Sequence, residues 1–344
     1  MAFRHRSWFD AWVAAASGPQ GFWRASAPAA HFRTASMVGP ELARALLALL
    51  ERRPEITRVV EVGAGDGGLL ASLHQRRSTL AVAGTDLRPR PVGLPPGVRW
   101  EQDLWDVRSH RWTTGGFERL LAAGSGPALV LAVEWLDDLP CRVGARTSGG
   151  WCELDDGLLP AEPLAAEEQG WAATWWPDGE RVEVGTTRDR AWGSLVRSLA
   201  PVGGQVLMVD YGHERAARPG RGSLAAYQGG RPVPPAALAD RNLTAHVAVD
   251  AITAAGERAG ARTVFRSRQA ETLAALLAAP APSGDVVGDL AARSRRAALA
   301  APQGWGEHWW LLQEVPPPRP SPDLSASVAA PTTMAADRSG AVAT

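Results

Sequence analysis

The sequence predicts an α/β fold with a doubly wound core built around a parallel sheet. Residues 58–63 form a β-branched run that ends in glycines, and an apolar helical pattern follows at residues 69–73. Residues 128–133 are continuously apolar, which is typical of a strand buried on both faces of a parallel sheet. Strand and helix patterns alternate along much of the chain, as they do in doubly wound α/β proteins.

Further elements are predicted around these strands in the first half of the chain. Residues 7–16 have their aromatic side chains on one helical face, which indicates a short amphipathic helix packed on the body of the protein. Residues 40–52 carry leucine and alanine at helical spacing, and Pro40 suits a first helical turn. Two short strands are predicted at 80–85 and 98–100.

The pattern changes between residues 141 and 184, where glycine turns separate alternating stretches. We interpret this part as an inserted accessory region of antiparallel hairpins. It carries four tryptophans, which indicate either packing or, if exposed beside a cleft, a docking surface: Trp151, Trp171, Trp175 and Trp176. The core then resumes with predicted helices and strands at 188–199, 205–210, 249–258, around 263, at 270–279 and at 305–313.

These patterns divide the chain into five segments. Residues 1–55 form an N-terminal helical cap, 56–140 the cofactor-binding half of the core, 141–187 the accessory insert and 188–315 the second half of the core. Residues 316–344 are rich in proline, alanine, serine and threonine, and they cannot bury enough surface to order themselves. A disordered tail is therefore predicted.

The composition argues against several classes of function. The 344 residues carry 36 basic and 36 acidic side chains, so the formal net charge is zero, and the chain has no lysine. Binding to nucleic acid or to an anionic membrane surface depends on net basic surfaces, so neither partner is expected. No apolar run approaches the roughly 20 residues that span a bilayer, and we expect a cytoplasmic protein. Cys141 and Cys152 lack metal-ligand spacing, so reduced thiols and no metal site are predicted.

The strongest local motif follows the first predicted core strand. Glycines at a strand-to-helix turn let the backbone approach a ligand, and the helix N-terminus presents free amides to an anionic group. Gly63, Gly65 and Gly68 satisfy the spacing of dinucleotide-binding loops. Gly63, Gly65 and Gly67, preceded by Glu61, match the loop that class I methyltransferases use for S-adenosylmethionine (SAM). The loop could also merely turn the chain, and the motif alone leaves these alternatives open.

Acidic residues follow three of the predicted strands. Asp86 lies 23 residues after Gly63, where a carboxylate can accept from the ribose hydroxyls of NAD or of SAM. Asp103 is a candidate for the adenine amino group, although Glu101 is nearly as well placed and either could be a solvated carboxylate. Glu134 ends the run at 128–133, at the edge of the sheet where ligands bind in open α/β proteins, unless it is a structurally paired acid.

Four segments, taken in order, resemble a known family. Residues 130–140 read Val-Leu-Ala-Val-Glu-Trp-Leu-Asp-Asp-Leu-Pro, and the family pattern is a strand that ends in Asn-Glu-Phe-Phe-Asp-Ala-Leu-Pro. The other segments are Ala-His-Phe-Arg-Thr at 30–34, Val-Asp-Tyr-Gly at 209–212 and Leu-Thr-Ala-His-Val at 243–247. From residue 18 to residue 313 the chain resembles the MidA-like SAM-dependent methyltransferases. That family includes a mitochondrial complex I assembly factor that methylates a protein arginine.

The resemblance implies a seven-stranded, Rossmann-like methyltransferase core with an inserted region and SAM as the cofactor. It also implies a protein or other nucleophile-bearing acceptor, with an arginine side chain as one candidate. It also allows a homodimer. The residues implied in cofactor binding are Glu61, Gly63, Gly65, Asp86 and Asp103, with His31 and Thr34 closing over the cofactor. The residues implied in the acceptor pocket are Glu134, Asp137, Asp210 and Tyr211. A carboxylate such as Glu134 would orient a guanidine bidentately for in-line methyl transfer.

The chain departs from the family pattern at several positions. Val133 replaces the asparagine before the glutamate, Asn242 replaces an aspartate, and the Pro-Glu expected after residue 34 is replaced by Ser36 and Met37. These changes leave open a degenerate methyltransferase fold that acts as an assembly partner. An NAD(P)-dependent oxidoreductase is a second alternative, but Glu61 and the absence of lysine argue against it. His246 is a candidate base near neutral pH or a structural histidine.

Overall fold

A computed structural model describes residues 6–25, 38–278 and 285–317. Its α-helices are α1 Trp8–Ser17, α2 Phe22–Ala25, α3 Glu41–Glu51, α4 Gly68–Arg76, α5 Gly116–Ala122, α6 Ala166–Trp175, α7 Thr186–Leu199, α8 Val249–Arg258, α9 Gln269–Leu276 and α10 Val286–Leu299. Its strands are β1 Arg58–Val62, β2 Ala81–Asp86, β3 Arg99–Gln102, β4 Trp105–Asp106, β5 Arg111–Trp112, β6 Ala128–Val133, β7 Arg142–Thr147, β8 Gly150–Leu154, β9 Pro160–Pro163, β10 Arg181–Val184, β11 Gly204–Asp210, β12 Gly212–His213, β13 Ala225–Gln228, β14 Arg231–Val233, β15 Asn242–Thr244, β16 Val247–Ala248, β17 Arg262–Arg268 and β18 Trp309–Val315.

A central seven-stranded sheet has the order β17-β18-β11-β6-β1-β2-β3. The pairs among β11, β6, β1, β2 and β3 are parallel, whereas β18 pairs antiparallel with both β11 and β17. The chain runs from β1 outward to β3 and then returns to β6 on the other side of β1. The strand order therefore reverses between β1 and β6, where ligands bind beyond the carboxyl ends of the strands in such sheets. This architecture confirms the predicted doubly wound fold.

Successive side chains along the central strands point to opposite faces of the sheet, so an apolar core forms on each face. Val60 and Val130 point to one face, where they pack with side chains of α5, α7 and α8. Val59 and Leu129 point to the other, with side chains of α3, α4 and α9. All six residues of β6 are buried, which explains why that strand reads as a continuous apolar run.

The accessory region contains a second sheet, in the order β10-β7-β8-β9, together with α6. Its strands pair antiparallel, as predicted for an accessory region of hairpins inserted between the two halves of the core. Trp151, Trp171 and Trp176 are buried in one apolar cluster, and Trp175 packs against it half-buried. These tryptophans therefore form the core of the accessory region. Trp8 of α1 is buried in a neighbouring cluster that includes side chains of β7 and β8.

The structure differs from the sequence prediction near the C-terminus. The last strand begins at Trp309 and not at residue 305, because Trp305–Glu307 form a 3₁₀ turn. Helix α10 was not predicted, since Leu299 is its only buried residue and its apolar positions do not form a core-facing pattern. His31, Thr34, Ser36, Met37 and most of the predicted tail lie outside the described residues. None of the described helices has the length and apolar composition that crossing a bilayer requires.

Candidate cofactor and acceptor site

The glycine loop between β1 and α4 depends on backbone conformations that favour glycine. Gly63, Gly65 and Gly67 have φ angles of 62°, 63° and 72°, in the left-handed region. A Cβ atom at Gly63 would lie 2.4 Å from Cδ1 of Trp135, and one at Gly67 would lie 2.7 Å from Cδ1 of Leu94. Gly67 is also the N-cap residue of α4. The loop thus brings bare backbone and a helix N-terminus to the crevice between β1 and β6.

Glu61 lies in β1, just before this loop, and its side chain is buried. Within the described residues, its Oε2 atom has no hydrogen-bond partner. Burial, followed by the charges of Asp66 and Asp86, raises the pKa of Glu61 to about 8. A buried acceptor with no partner is costly, and a ligand that brings an ammonium group would supply both the donor and the compensating charge. The residues around the loop therefore fit the methionine end of SAM.

Asp86 ends β2 beside the glycine loop. Its Oδ2 accepts from the backbone N–H of Gly65 at 2.9 Å. Its Oδ1 accepts from the backbone N–H of Arg88 at 2.9 Å and from Nε of Arg88 at 3.1 Å. The carboxylate is thus fixed against the loop, in the position from which it would meet a ribose, and it also holds an arginine.

Asp103 has a different environment from the one expected of an adenine contact. Its Oδ1 accepts from the backbone N–H groups of Leu104 and Thr114 and from the hydroxyl of Thr113. Its Oδ2 accepts from the N–H groups of Gly116 and Phe117 at the start of α5. The carboxylate therefore caps a helix, and an adenine amino group would have to share oxygens that already accept five hydrogen bonds. Glu101, the other candidate, is 2.6 Å from Arg119 in an ion pair.

Glu134 follows β6 with a strained backbone. Its φ of 47° is in the left-handed region, which is uncommon for a residue with a side chain, and its N–H donates to Val209 O at 2.8 Å. Such outliers persist where the surrounding structure enforces them, and they concentrate at functional sites. The next residue, Trp135, lies against Gly63 and stacks on Trp112 with ring centroids 5.9 Å apart. The turn after β6 therefore borders the glycine loop directly.

Three aspartates lie together beyond β6 and β11. Asp210 Oδ2 accepts from the N–H groups of Leu136 and Asp137, at 3.0 and 3.3 Å. Asp137 Oδ2 accepts from the Thr244 hydroxyl at 2.7 Å. Burial, followed by the charge of Asp137, raises the pKa values of Asp138 and Asp210 well above their ordinary range. Oδ1 of Asp137 and Oδ1 of Asp210 are buried and make no hydrogen bond to any described residue.

Arg188 is a buried cation that sequence reasoning missed. Its guanidinium donates to the carbonyl oxygens of Asp137 and Leu139 on one side and of Ala245 and His246 on the other. It thereby joins the acidic turn after β6 to the segment that follows β15. No local pattern marks this role, because Arg188 lies 51 residues from Asp137 in sequence.

Tyr211 lies beside the aspartates, between two histidine rings. Its centroid is 5.7 Å from that of His246, in a stacked arrangement, and 3.9 Å from that of His308. Burial, followed by the charges of Glu134 and Asp137, raises the Tyr211 pKa. His308 is fully buried, burial lowers its pKa to about 3, and neither ring nitrogen has a partner among the residues described. Sequence reasoning missed His308, which was predicted to lie within the last strand.

Asn242 shows the effect of one departure from the family pattern. Its Nδ2 donates to Oδ1 of Asp138 at 2.9 Å, and its Oδ1 accepts from Nε1 of Trp23 at 3.4 Å. An aspartate at this position would offer no N–H to Asp138 and would add a fourth carboxyl to the group. The asparagine therefore fits the acidic surroundings. Val133, the other departure, is buried in the core on the same face as Leu129.

The predicted site residues thus fall into two adjoining groups. Glu61, Gly63, Gly65 and Asp86 surround the loop after β1, whereas Glu134, Asp137, Asp210 and Tyr211 follow β6 and β11. Within residues 6–25, 38–278 and 285–317, no group of three or more histidine, cysteine, aspartate or glutamate side chains is placed to hold a metal ion.

The chain matches a family of known proteins and is similar to solved structures. Residues 41–267 match the model of a family described as "Putative S-adenosyl-L-methionine-dependent methyltransferase". A COG1565 superfamily protein from Burkholderia thailandensis, crystallised with S-adenosyl-homocysteine, is 22% identical over 90% of this chain and 88% of its own, with a TM-score of 0.67. A second COG1565 superfamily structure from that organism is 22% identical over 90% of this chain and 87% of its own, with a TM-score of 0.69. No curated protein matches the sequence.

Proposed function

Since the chain belongs to this family of S-adenosyl-L-methionine-dependent methyltransferases, we propose that it methylates an arginine side chain of a protein acceptor. The family membership confirms the predicted enzyme class and the predicted SAM cofactor, and the MidA-like resemblance is consistent with it. The oxidoreductase alternative is thereby set aside. The acceptor is the part of the function that the proposal adds.

The cofactor half of the site would hold SAM through the chain's own charges and amides. SAM, when bound, supplies a methyl group on a sulfonium, which is a good leaving group. Glu61 offers its buried carboxyl to an ammonium group, the left-handed glycines keep the loop free of side chains, and Asp86 offers a carboxylate to hydroxyl groups. His31 and Thr34 remain expected to close over the cofactor.

The observation that carries the acceptor proposal is the pair of unpartnered oxygens on Asp137 and Asp210. Buried carboxylate oxygens require hydrogen-bond donors, and a planar guanidinium supplies several donors with positive charge. Arg188 is committed to backbone carbonyls, so it leaves the two oxygens for a ligand. Tyr211 lies next to these acids and adds an aromatic ring to the surroundings of a bound guanidinium.

The same acids would handle the proton that a guanidinium must lose when it is methylated. Burial and the charge of Asp137 raise the pKa of Asp210, which makes its carboxylate a stronger base than an ordinary aspartate. Asp137 is oriented by the Thr244 hydroxyl, and the strained backbone of Glu134 fixes the start of the same turn. Positioning would supply most of the catalysis, because the leaving group is already activated.

The proposal is tested by incubating the purified enzyme with lysate and SAM labelled in its methyl group. We expect a labelled protein band whose hydrolysate contains methylated arginine, and we expect Asp137→Asn and Asp210→Asn to reduce labelling by about a hundredfold or more. Asp178→Asn, an exposed change on the accessory region, is the control and should label normally. Label on another residue type would overturn the arginine proposal while leaving the methyltransferase intact. Labelling that never exceeds background with any acceptor would favour the degenerate assembly protein.

A further inference from the structure

Asp86, the carboxylate assigned to the ribose, is already bound by an arginine of the same chain. Its Oδ1 accepts two hydrogen bonds from Arg88, one from the backbone and one from the guanidinium Nε at 3.1 Å. The side chains of Asp86 and Arg88 are 12% and 21% exposed, so the ion pair is largely shielded from water. A shielded pair of this kind is a real competitor for any ligand of Asp86.

The guanidinium also extends over the cofactor loop. A Cβ atom built on Gly65 would lie 3.8 Å from Nη2 of Arg88, and apart from its two chain neighbours no other described residue would come within 4 Å of it. Arg88 is thus the side chain nearest to the open side of that glycine. Its carbonyl accepts from Nε1 of Trp100 at 3.3 Å, a backbone contact that does not depend on where the Arg88 side chain lies.

A carboxylate that binds both hydroxyls of a ribose needs a lone pair on each oxygen. Oδ2 has accepted one hydrogen bond, from Gly65, and keeps room for a second. Oδ1 has accepted two, so a hydroxyl can reach it only if the Arg88 side chain withdraws. The backbone N–H groups of Gly65 and Arg88 would still hold Asp86 in place after that withdrawal.

We propose that Arg88 competes with the cofactor ribose for Asp86 and thereby limits how tightly the enzyme retains its cofactor. The guanidinium leaves Oδ1 when the diol binds, and it returns when the spent cofactor departs. Its return compensates the negative charge of the largely buried Asp86 carboxylate, which lowers the free-energy cost of releasing the cofactor. This inference rests on the assignment of the glycine loop and Asp86 as the cofactor site in the proposed function.

The test compares the affinity of S-adenosylhomocysteine for the full-length enzyme and its variants by calorimetry. We expect Arg88→Ala to tighten binding about fivefold, because the diol no longer has to displace the guanidinium, and to slow dissociation in stopped flow. Arg88→Lys keeps the charge without the Nε donor and should fall between the wild type and Arg88→Ala. Arg76→Ala, which removes an exposed arginine from α4 of the same domain, is the matched control and should leave affinity unchanged.

A cofactor analogue that lacks the 2′-hydroxyl should gain less from Arg88→Ala, because it makes less use of Oδ1. Weaker or unchanged binding of S-adenosylhomocysteine by Arg88→Ala would overturn the proposal of competition. Weaker binding would show that Arg88 contributes to cofactor binding, and unchanged binding would show that it has no effect on it. Asp86→Ala separates this failure from failure of the site itself. If Asp86→Ala binds S-adenosylhomocysteine like the wild type, the assignment of the cofactor site is wrong, whatever Arg88 does.

Discussion

The proposed cofactor half and the proposed acceptor half of the site lie side by side but are built in different ways. The cofactor half comes from one β-α-β stretch, in which Glu61, Gly63, Gly65 and Asp86 are close in sequence. The acceptor half gathers side chains from the ends of β6, β11 and β15 and from α7, which are far apart in the chain. Local chemistry specifies the first half, whereas only the folded topology assembles the second.

The two halves also manage buried charge differently. Around the glycine loop, backbone amides and one arginine hold Asp86, and Glu61 keeps an unpartnered oxygen. Beyond β6 and β11, the buried Asp137 and Asp210 and the half-buried Asp138 lie near one arginine, whose four hydrogen bonds go to carbonyl groups. Replacing single charges should therefore affect binding in the first half and stability in the second.

The largest effect is expected from Arg188→Met. Removal of the guanidinium leaves carbonyls of two segments unpaired and the aspartates without a nearby cation, so we expect the free energy of unfolding to fall by about 3–5 kcal/mol. Urea unfolding followed by circular dichroism measures this loss. Arg221→Met, whose side chain is 87% exposed, is the control and should change stability by less than about 0.5 kcal/mol.

If Arg188→Met does not fold, Arg188→Lys keeps the charge with fewer donors and should show a smaller loss. The folded fraction should still bind S-adenosylhomocysteine, because none of the carbonyls that Arg188 holds belongs to the glycine loop. A loss of cofactor affinity as large as the loss of stability would mean that the two halves are not separable.

The contrast explains what the sequence could and could not predict. The sequence predicts β1, β6 and the glycine loop, because the periodicity of apolar residues, apolar runs and glycine spacing are local signals. Asp103 was recognisable as an acid after β3, but its capping of α5 depends on the return of residues 113–117 to that strand end. Arg188 and His308 gave no signal, since their roles depend on partners far along the chain.

The pH dependence of cofactor binding should test the role of Glu61 in the cofactor half. Glu61, with a pKa of about 8, is mostly protonated at pH 7 in the cofactor-free protein, and an ammonium group favours its ionised form. As the pH falls from 8 to 6, we therefore expect the Kd of S-adenosylhomocysteine to rise by up to about tenfold per unit, with proton release on binding. Calorimetry in buffers of different ionisation enthalpy measures both.

Above pH 8 the affinity should fall again, because the cofactor's own amino group loses its proton at about that pH. Glu61→Gln should bind more weakly and lose the dependence between pH 6 and pH 8, whereas the exposed change Glu162→Gln should keep it. A wild-type affinity that is constant between pH 6 and pH 8 would show that Glu61 does not meet the ammonium group.

The smallest effect is expected from Asn242→Asp, which moves the acceptor half towards the family pattern. The new carboxyl would face Asp138, whose pKa burial and Asp137 already raise, in place of an N–H donor. We expect a loss of about 1–2 kcal/mol in unfolding free energy at pH 8. The loss should shrink at pH 5, because protonation, favoured in the folded state, removes the repulsion between the two acids.

Urea unfolding at the two pH values measures this difference, and Asn242→Ala supplies the comparison. Alanine removes the same hydrogen bond without adding a charge, so any extra pH dependence of Asn242→Asp relative to Asn242→Ala reports repulsion between the carboxyls. Equal pH dependence in the two variants would show that Asp138 is not charged enough to repel a neighbour. Asn242 would then serve this group only as a hydrogen-bond donor, and the departure from the family pattern would have little electrostatic consequence.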